Sequence, residues 1–557
     1  MPSIACVGAG PTAIYMLLTL LRSASQPISI TVFEQEGHVG KGTPYRPGWN
    51  DPAMLANIAS IEIPKVIETL LQWMERQPPE RLHELGINPQ TLSDRTFYPR
   101  IALGAYYHDQ MLGLLRLAEG AHHRVSVRTR CKVTDAAKSD GGMTLTVKPH
   151  NDHAFVESFD HVVLATGHQW PAATETQPGY FLSPYPSTAL AHVPPCHIGI
   201  RGSSLSAIDA VVSLAVLHGR FVQEEAVLRY KPKPNTHAFK MTMMSRKGLL
   251  PEADFYFPLP YEELTYCTID AINARLDDGP DGLLDDIFAL FKRELASVDP
   301  DYAVEIDLEE LCLEGFCTAY FARRMAADPF AWARANLDDA SHNYAVRHTV
   351  PWRYAILRMH EAIQCVTPYL STDDFQRFTR YFAPVFADDY ATVPHESIER
   401  LLALHDCEKL DIIGLGENYS IDTHDVASGA TLKTDNSIFH FPVFVEAMGQ
   451  RALNAADFPF PTLRYQGIIR DAASEGTKGA SRGISIDNQF HPLSDDLPCG
   501  QLFCLSLPYL MGRHPFIQGL TSAFEIGKVV GTQLARTISA KSSSIAFEEP
   551  FAVSAAQ

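Results

Sequence analysis

The chain has no Cys-x-x-Cys pair, although it contains ten cysteines among 557 residues. Its closest pairs are Cys312 with Cys317 and Cys499 with Cys504, and each pair is separated by four residues and lacks histidine companions. A disulfide reductase needs a redox-active pair beside its cofactor, so this spacing disfavours thiol exchange. Buried, reduced cysteine is the expected state.

Long apolar runs, metal-like histidine spacing and excess positive charge are also missing. No segment is long and apolar enough to span a bilayer, and no basic region precedes a signal-like core. His348, His360 and His395 are scattered, so we predict no metal site. The net charge of −19 argues against nucleic acid as a partner, because its phosphates would be repelled. We expect a cytoplasmic protein that binds neither membranes nor nucleic acid, and its oligomeric state stays open.

The first residues form a strand, a turn of small residues and a helix. An apolar run from Ile4 leads through Gly8, Gly10, Pro11 and Ala13 into a helix-patterned segment. In this pattern the first glycine permits a tight turn, the second lets the backbone approach a pyrophosphate, and the alanine allows close helix packing. The helix N-terminus offers N–H groups to phosphates. The pattern predicts a dinucleotide-binding unit, and the alternative is a chance glycine turn in another α/β domain.

The next strand-like run ends in Glu34 and Gln35, about twenty residues further on. A carboxylate there accepts hydrogen bonds from both hydroxyls of an adenosine ribose and repels a ribose phosphate, so the unit favours FAD or NAD over NADP. Gly40 and Gly42 follow shortly afterwards. They provide a second stretch where backbone can lie against an extended cofactor, and this favours flavin.

This Glu-then-Gly-Gly order resembles that of two-dinucleotide flavoproteins, including the flavin-containing and Baeyer–Villiger monooxygenases. An Asn in a context like that of Asn57 lies beside the flavin in the former, so the resemblance makes Asn57 the candidate catalytic residue; the alternative is an Asn that satisfies loop backbone. The strand DHVVLA runs into Thr166 and Gly167 in an ATG-x-x-x-P form similar to the element that closes their FAD domain. Within the β-rich stretch 124–148, the resemblance places Val133 near the adenine.

Two further segments look like parts of the same proteins. FYPRIALGAYYHDQM is similar to the R-x-x-x-G-x-Y segment of bacterial FAD/NAD(P)-binding proteins, which implies that Arg100 faces the cofactor; a solvated surface arginine is the alternative. Near the C-terminus, a strand, a loop with His514 and Gln518, and a long helix are similar to the junction that directs a helix N-terminus toward the flavin.

A second, looser copy of the nucleotide unit begins at Ile198. Gly202, Ser203 and Ser204 form its turn, and Ser204 stands where the middle glycine is expected. A side chain there would crowd a pyrophosphate unless the backbone yields or the hydroxyl itself bonds phosphate. Strand, small-residue turn and helix nevertheless keep their order.

The next strand-like run of this copy contains Ser245, Arg246 and Lys247 where the first copy has Glu34. Cations suit a 2′-phosphate through charge-assisted hydrogen bonds, so NADPH is favoured over NADH. The alternative is a basic surface turn. The spacing from Gly202 is longer than usual, which predicts an intervening excursion.

These patterns predict an α/β fold with two Rossmann-like dinucleotide-binding domains, arranged as in glutathione reductase, the second inserted in the first, plus a helical insertion. At 557 residues the chain is long enough for about two or three domains. The expected ranges are 1–195 for the first part of the FAD domain, 196–250 with 411–460 for the NAD(P) domain, 251–410 for a helical insertion that lines the substrate region, 461–540 for the return to the FAD domain, and 541–557 for a flexible tail.

The organisation resembles the bacterial FAD/NAD(P)-binding family related to class B flavin monooxygenases and N-hydroxylating monooxygenases. The F-x-G-x-x-x-H-x-x-x-W/P motif of Baeyer–Villiger enzymes is missing between Pro171 and Ile198, which favours hydroxylation at nitrogen over ketone oxidation. The resemblance implies FAD and NADPH as cofactors, and O₂ with a small polar substrate that is oxidised through a flavin C4a-(hydro)peroxide. The alternatives are an NAD(P)H-dependent flavin reductase or oxidase, and a non-catalytic FAD/NAD(P)-binding sensor or scaffold.

Overall fold

The structure is a computed structural model that describes residues 1–171, 173–225, 227–472, 482–495, 497–517 and 519–545. Its strands are, in chain order, β1 (Ser3–Val7), β2 (Ser29–Phe33), β3 (Arg124–Arg128), β4 (Cys131–Ser139), β5 (Gly142–Pro149), β6 (Phe155–Phe159), β7 (His161–Leu164), β8 (Glu175–Gln177), β9 (Tyr180–Phe181), β10 (His197–Arg201), β11 (Gly219–Glu224), β12 (Val227–Pro232), β13 (Lys240–Ser245), β14 (Leu410–Gly414), β15 (Tyr419–Asp422), β16 (Ala430–Thr434), β17 (Ile438–Phe441), β18 (Val443–Glu446), β19 (Leu493–Ser494), β20 (Leu497–Pro498) and β21 (Leu502–Cys504).

The α-helices connect and cover these strands. They are α1 (Pro11–Ser23), α2 (Leu70–Glu75), α3 (Pro79–Glu84), α4 (Arg100–Gly120), α5 (Leu205–His218), α6 (Ile269–Leu276), α7 (Leu283–Val298), α8 (Pro300–Glu305), α9 (Leu313–Ala326), α10 (Pro329–Val346), α11 (Pro351–Ile363), α12 (Thr372–Arg377), α13 (Ala383–Tyr390), α14 (His395–Asp406), α15 (Pro461–Tyr465) and α16 (Gly519–Ile545).

The first sheet is parallel, with strand order β21-β7-β1-β2-β3. Apart from β3, its strands are short, largely apolar runs, as expected for a parallel sheet covered on both faces. The antiparallel meander β4-β5-β6 lies between β3 and β7 along the chain. Because β21 hydrogen-bonds to β7, residues after 500 return to the sheet in which the chain begins.

Helix α16 crosses α1 at very short range through two glycines one turn apart. A Cβ added at Gly527 would lie 2.7 Å from the backbone nitrogen of Met16, and one at Gly531 would lie 2.7 Å from the Met16 carbonyl oxygen. The absence of side chains at both positions therefore sets how closely the two helices approach. The expected tail 541–557 is helical as far as Ile545, and residues 546–557 lie outside the described residues.

The second sheet has the order β14-β13-β10-β18-β9-β8. The antiparallel hairpin β11-β12 stands between α5 and β13, where the sequence spacing predicts an excursion. A three-stranded antiparallel sheet, β15-β16-β17, precedes β18. Strands β8 and β9 hydrogen-bond into this second sheet, although the sequence places them inside the first domain at 1–195. Their sequences, three and two residues long, are too short to carry a periodic signal that shows which sheet they join.

Helices α6 to α14 fill the stretch between β13 and β14. Their core is aromatic, with centroids about 5 to 6 Å apart: the rings of Phe288 and Phe291 stack, and those of Phe316, Phe382 and Phe386 pack around them edge-on or tilted. These aromatic side chains therefore pack together in the core of the helical section. None of the helices in the described ranges combines the length and hydropathy that a bilayer crossing requires.

Candidate functional site

The first glycine turn joins β1 to α1. Gly8 has a φ of 101°, and a Cβ there would lie 2.2 Å from the carbonyl oxygen of Ala165, just after β7. Gly8 is therefore required both by the turn and by its contact with the neighbouring strand. Helix α1 starts at Pro11, and its N-cap residue Gly10 supplies no side-chain cap. The N–H groups of the first turn thus remain free of side-chain acceptors.

A second glycine loop lies directly against this turn. A Cβ on Gly10 would lie 3.4 Å from the Cα of Gly42, and a Cβ on Gly42 would lie 3.0 Å from the Cδ of Pro11. The Gly40 N–H donates to the Ala9 carbonyl at 2.8 Å and fixes the two loops together. The result is a narrow cradle with backbone walls beside a helix N-terminus, which fits a pyrophosphate.

Glu34 follows β2 and turns its carboxylate toward the glycine turn. Its Oε2 accepts from the Ala9 N–H at 3.1 Å, and its Oε1 accepts from the Glu36 N–H at 2.9 Å. Burial raises the pKa of Glu34, while these two backbone donors oppose the rise. A carboxylate has about four acceptor positions, so capacity for two ribose hydroxyls remains. The adjacent Gln35 is exposed.

We predict that Glu34→Gln weakens FAD binding by about ten- to a hundredfold, because a pair of charge-assisted hydrogen bonds contributes about that much to the affinity. The measurement is quenching of FAD fluorescence on titration with apoprotein. Glu36→Gln is the matched control, because Glu36 pairs with Arg46 at the surface rather than with the turn. Equal losses in the two variants would contradict a ribose-binding role for Glu34.

The end of β7 is tied to the end of β21. Ser506 Oγ lies 3.1 Å from the Thr166 backbone N–H and 2.7 Å from its hydroxyl. Gly167 has a φ of 69° and faces open space, since no atom lies within 4 Å of an added Cβ. His168 has a buried Nδ1 without a hydrogen-bond partner, and burial lowers its pKa to about 4, with Arg100 as a second cause. Neither Ser506 nor His168 belongs to a sequence pattern that predicts a role at this site.

The structure gives Arg100 protein partners on several sides. Its Nη1 lies 2.6 Å from Asp209 of α5, and its Nε donates to the Leu55 carbonyl at 3.0 Å. The Tyr185 hydroxyl also donates to Asp209. Arg100 and Asp209 side chains are 12% and 6% exposed, so this pair is a buried link between α4 and α5. The alternative of a solvated surface arginine is wrong for this reason.

The remaining predicted positions lie in different surroundings. Asn57 is exposed and borders a small cleft of about 20 Å³ that Arg100 and Asp209 also line. Val133 is buried in β4, opposite Val147. His514 packs on Phe490 and its buried Nε2 has no partner, and burial lowers its pKa to about 4.

The predicted cofactor residue Gln518 lies outside the described residues. Across the part of the chain that the structure covers, no three His, Cys, Asp or Glu side chains are grouped to hold a metal ion.

The second turn repeats the packing of the first. Gly202 has a φ of 138°, and a Cβ there would lie 2.3 Å from the carbonyl oxygen of Ala447, just after β18. This matches the contact between Gly8 and Ala165 in the first unit. Ser204 is the exposed N-cap residue of α5 and makes no side-chain cap bond, so this helix also offers free N–H groups. Ser203 is half-buried beside it.

The strand register shows which residue of the second unit occupies the place that Glu34 occupies in the first. In the first unit Val7 pairs with Phe33, and in the second Arg201 pairs with Met244. The residue that follows, Glu34 in the first unit, is therefore Ser245 in the second.

The two cations after that position differ in their surroundings. Arg246 and Lys247 are both exposed, but only Lys247 has a ring contact, with its Nζ 4.0 Å from the centre of the Phe321 ring. Burial lowers the pKa of Lys247. A serine followed by an exposed arginine removes the repulsion that a carboxylate would exert on a 2′-phosphate.

Comparisons with known proteins agree with this geometry. Residues 5–169 match a family described as FAD-NAD(P)-binding, and residues 268–390 match the YdhS-like middle domain. The reduced form of ornithine hydroxylase (PvdA) from Pseudomonas aeruginosa superposes with a TM-score of 0.50 at 13% identity, over 97% of this chain and 100% of that one. The molecule is thus a mixed α/β protein with an FAD/NAD(P)-binding domain of Rossmann type and the fold of that ornithine hydroxylase.

The family follows from a closer relative. YdhS of Escherichia coli (strain K12) is 41% identical over 549 residues, which cover 98% of this chain and 100% of that protein. The chain belongs to the YdhS-like family. The resemblance that the sequence predicts, to bacterial FAD/NAD(P)-binding proteins related to N-hydroxylating monooxygenases, is confirmed.

Proposed function

We propose that this protein is an FAD- and NADPH-dependent monooxygenase that hydroxylates a small polar substrate, at nitrogen. The observation that carries the proposal is the pair of register-matched turns. The first presents the carboxylate of Glu34, and the second presents Ser245 followed by exposed Arg246. The first combination suits an adenosine ribose with free hydroxyls, and the second suits one that carries a phosphate.

In this proposal the backbone cradle holds the FAD pyrophosphate and the loop after β7 lies along the cofactor. The residues assigned to FAD are Gly8, Gly10, Pro11, Ala13, Glu34, Gln35, Gly42, Val133, Thr166, Gly167, His514 and Gln518. Two features support the fit: a helix N-terminus without a side-chain cap, and open space over Gly167. Arg100 acts on the flavin side indirectly, because its Nε holds the Leu55 carbonyl two residues before Asn57.

NADPH is assigned to Gly202, Ser203, Ser204, Arg246 and Lys247. The Ser204 hydroxyl is exposed and makes no cap bond, so it is available to a phosphate. Lys247 contributes positive potential more than a direct contact, because its ammonium lies over Phe321.

A bound FAD would supply the hydride-accepting and oxygen-transfer chemistry. The chain's own residues bind, orient and exclude water around it. His168 and His514 are both uncharged near neutral pH, because burial lowers each pKa to about 4. Each can therefore offer a neutral hydrogen-bonding nitrogen without adding a cation beside the cofactor. Asn57 is proposed to lie near the reacting edge.

The cysteines support oxygen chemistry over thiol exchange. All ten are free thiols, and burial raises the pKa of Cys6 and of Cys267 to about 12. A thiol that stays protonated is a poor nucleophile, so neither of these two can serve as a redox centre.

The decisive experiment measures product and H₂O₂ formed for each NADPH oxidised, with a panel of amines and amino acids that includes ornithine, lysine and cadaverine. The proposal expects one compound for which hydroxylated product exceeds H₂O₂. H₂O₂ equal to NADPH for every compound would favour a flavin oxidase or reductase. A yellow protein that anaerobic NADPH does not bleach would favour a binding sensor or scaffold.

We predict that Arg246→Ala raises the KM for NADPH by about ten- to a hundredfold and changes the KM for NADH by less than about twofold. The reason is loss of a charge-assisted bond that only the 2′-phosphate can accept. Lys247→Ala is the matched comparison, and its smaller effect follows from the position of its ammonium over Phe321. The measurement is steady-state NAD(P)H oxidation. Equal increases in the KM for both coenzymes would contradict the assignment of Arg246 to the 2′-phosphate.

A further inference from the structure

A half-open cleft of about 420 Å³ lies beside α5. The loop 47–52 and Ile101 of α4 form one part of its wall, the turn 187–191 forms another, and the last two turns of α5 form a third. Leu217, in the last turn, lies about 20 Å further along the helix axis than Ser204, where the second glycine turn ends. The cleft is therefore separate from the glycine turns, and its volume is within the range of small-molecule sites.

Two side chains of opposite charge line the cleft, and neither forms an ion pair within the described ranges. Asp51 is half-buried in the loop 47–52, and Lys233 is exposed beside the end of α5. No carboxylate oxygen of a described residue lies within 4 Å of the Lys233 Nζ, and no described cationic nitrogen lies that close to the Asp51 carboxylate. Because neither side chain is fully buried, both are accessible to a ligand.

Hydrogen bonds to the backbone hold both charged groups in place without using all their capacity. Asp51 Oδ1 accepts from the Ala53 N–H at 2.9 Å, and no described donor reaches its Oδ2. Lys233 Nζ donates to the carbonyls of Leu217 at 2.7 Å and Val216 at 3.4 Å. An ammonium has three N–H donors, so one is left. The wall thus presents a fixed anion and a fixed cation, each able to take a further partner.

The other lining residues are largely apolar, and Pro47, Ile101 and Leu190 are among them. They favour a ligand with an apolar part, because burying apolar surface stabilises the complex. A purely cationic ligand would pair with Asp51 but be repelled by Lys233, and a purely anionic one would meet the reverse. A molecule that carries both charges satisfies both groups.

We propose that this cleft binds a zwitterionic α-amino acid with an apolar side chain. The ammonium of the ligand pairs with Asp51, its carboxylate pairs with Lys233, and its side chain lies against the apolar wall. Two charge-assisted hydrogen bonds of about 2.8 Å, added to the length of the amino acid itself, let it bridge groups that are too far apart to pair directly. The proposal does not depend on the reaction that the cofactors perform.

The first test is isothermal titration of the full-length protein with L-leucine and L-phenylalanine, each compared with its amide and its N-acetyl derivative. The amide lacks the carboxylate, and the N-acetyl derivative lacks the ammonium. We expect saturable one-to-one binding of at least one amino acid, with both its derivatives weaker by at least about threefold, the size of a partly exposed ion pair. No saturable binding by either amino acid, or a derivative that binds as tightly as its parent, would overturn the proposal.

Variants of the two charged residues test whether the amino acid lies in this cleft. Asp51→Asn keeps an acceptor for the Ala53 N–H but loses the charge, and Lys233→Met loses the cation. Each should weaken the amino acid by at least about threefold, whereas Lys233→Arg should retain binding. Lys231→Met is the matched control, because Lys231 pairs with Glu224 of β11 and does not line the cleft. It should leave binding unchanged.

The derivatives identify which charge of the ligand each variant affects. Asp51→Asn should remove the advantage of the amino acid over its N-acetyl derivative, and Lys233→Met should remove its advantage over the amide. Ala191→Leu narrows the cleft from an exposed position and should abolish binding, so it serves if Lys233→Met does not fold. Undiminished binding in Asp51→Asn or in Ala191→Leu would also overturn the proposal.

Discussion

Replacing Gly10 by valine should yield a folded protein that retains less than about a tenth of the wild-type flavin. Gly10 has ordinary backbone angles, with a φ of −80°, so the chain itself tolerates a side chain there. The obstruction is to the ligand: a Cβ already lies 3.4 Å from the Cα of Gly42, and two further methyl groups would fill the cradle between the loops. The pyrophosphate then loses both its space and its access to the N-terminus of α1.

The measurement is flavin absorbance per protein after purification and after reconstitution with excess FAD, with far-ultraviolet circular dichroism to verify folding. Gly141→Val is the matched control, because a Cβ at Gly141 has no neighbour within 4 Å. We expect it to keep its full flavin content. A yellow Gly10→Val protein would show that the cofactor does not lie along this turn.

Features encoded within a short stretch of chain were accessible from the sequence. The turn at Gly8, the acidic end of β2 at Glu34 and the second turn at Gly202 each depend on a strand and helix that adjoin them. The excursion before β13 followed from spacing alone, and the structure shows it as the hairpin β11-β12. Local chemistry specifies such units because the residues that form them are neighbours in sequence.

Features that depend on how separate units dock were not accessible. Thr166 hydrogen-bonds to Ser506, which lies 340 residues later in the chain, and no local sequence pattern predicts that pair. Arg100 was expected to face a cofactor or solvent, yet Asp209 of the other unit lies 2.6 Å from it. Strand β9 joins the second sheet through β18, which comes more than 250 residues later. In each case the partner is chosen by tertiary packing rather than by sequence period.

We predict that Arg100→Met lowers the free energy of unfolding by about 3–5 kcal/mol, because it leaves the buried Asp209 carboxylate without its cation. Arg100→Met with Asp209→Leu removes both charges and should recover much of that loss. The measurement is urea unfolding followed by the fluorescence of the five tryptophans, one of which, Trp170, has its ring 4.9 Å from Tyr185 of the same cluster. Arg334→Met is the control, since its pair with Asp406 is largely exposed and is worth less than about 1 kcal/mol. Equal losses in the single and double variants would contradict an ionic role for Arg100.

The loss in Arg100→Met should also depend on pH, and in a direction that a mere packing defect would not produce. Burial raises the pKa of Asp209, and the Arg100 charge is the main influence that lowers it. Without the guanidinium the folded-state pKa rises further above the unfolded value, so the folded variant holds a proton that the unfolded chain releases. Stability then falls as pH rises between those two pKa values. The gap between wild type and Arg100→Met should therefore be smaller near about pH 5 than near about pH 8, and a gap that does not change with pH would assign the loss to packing alone.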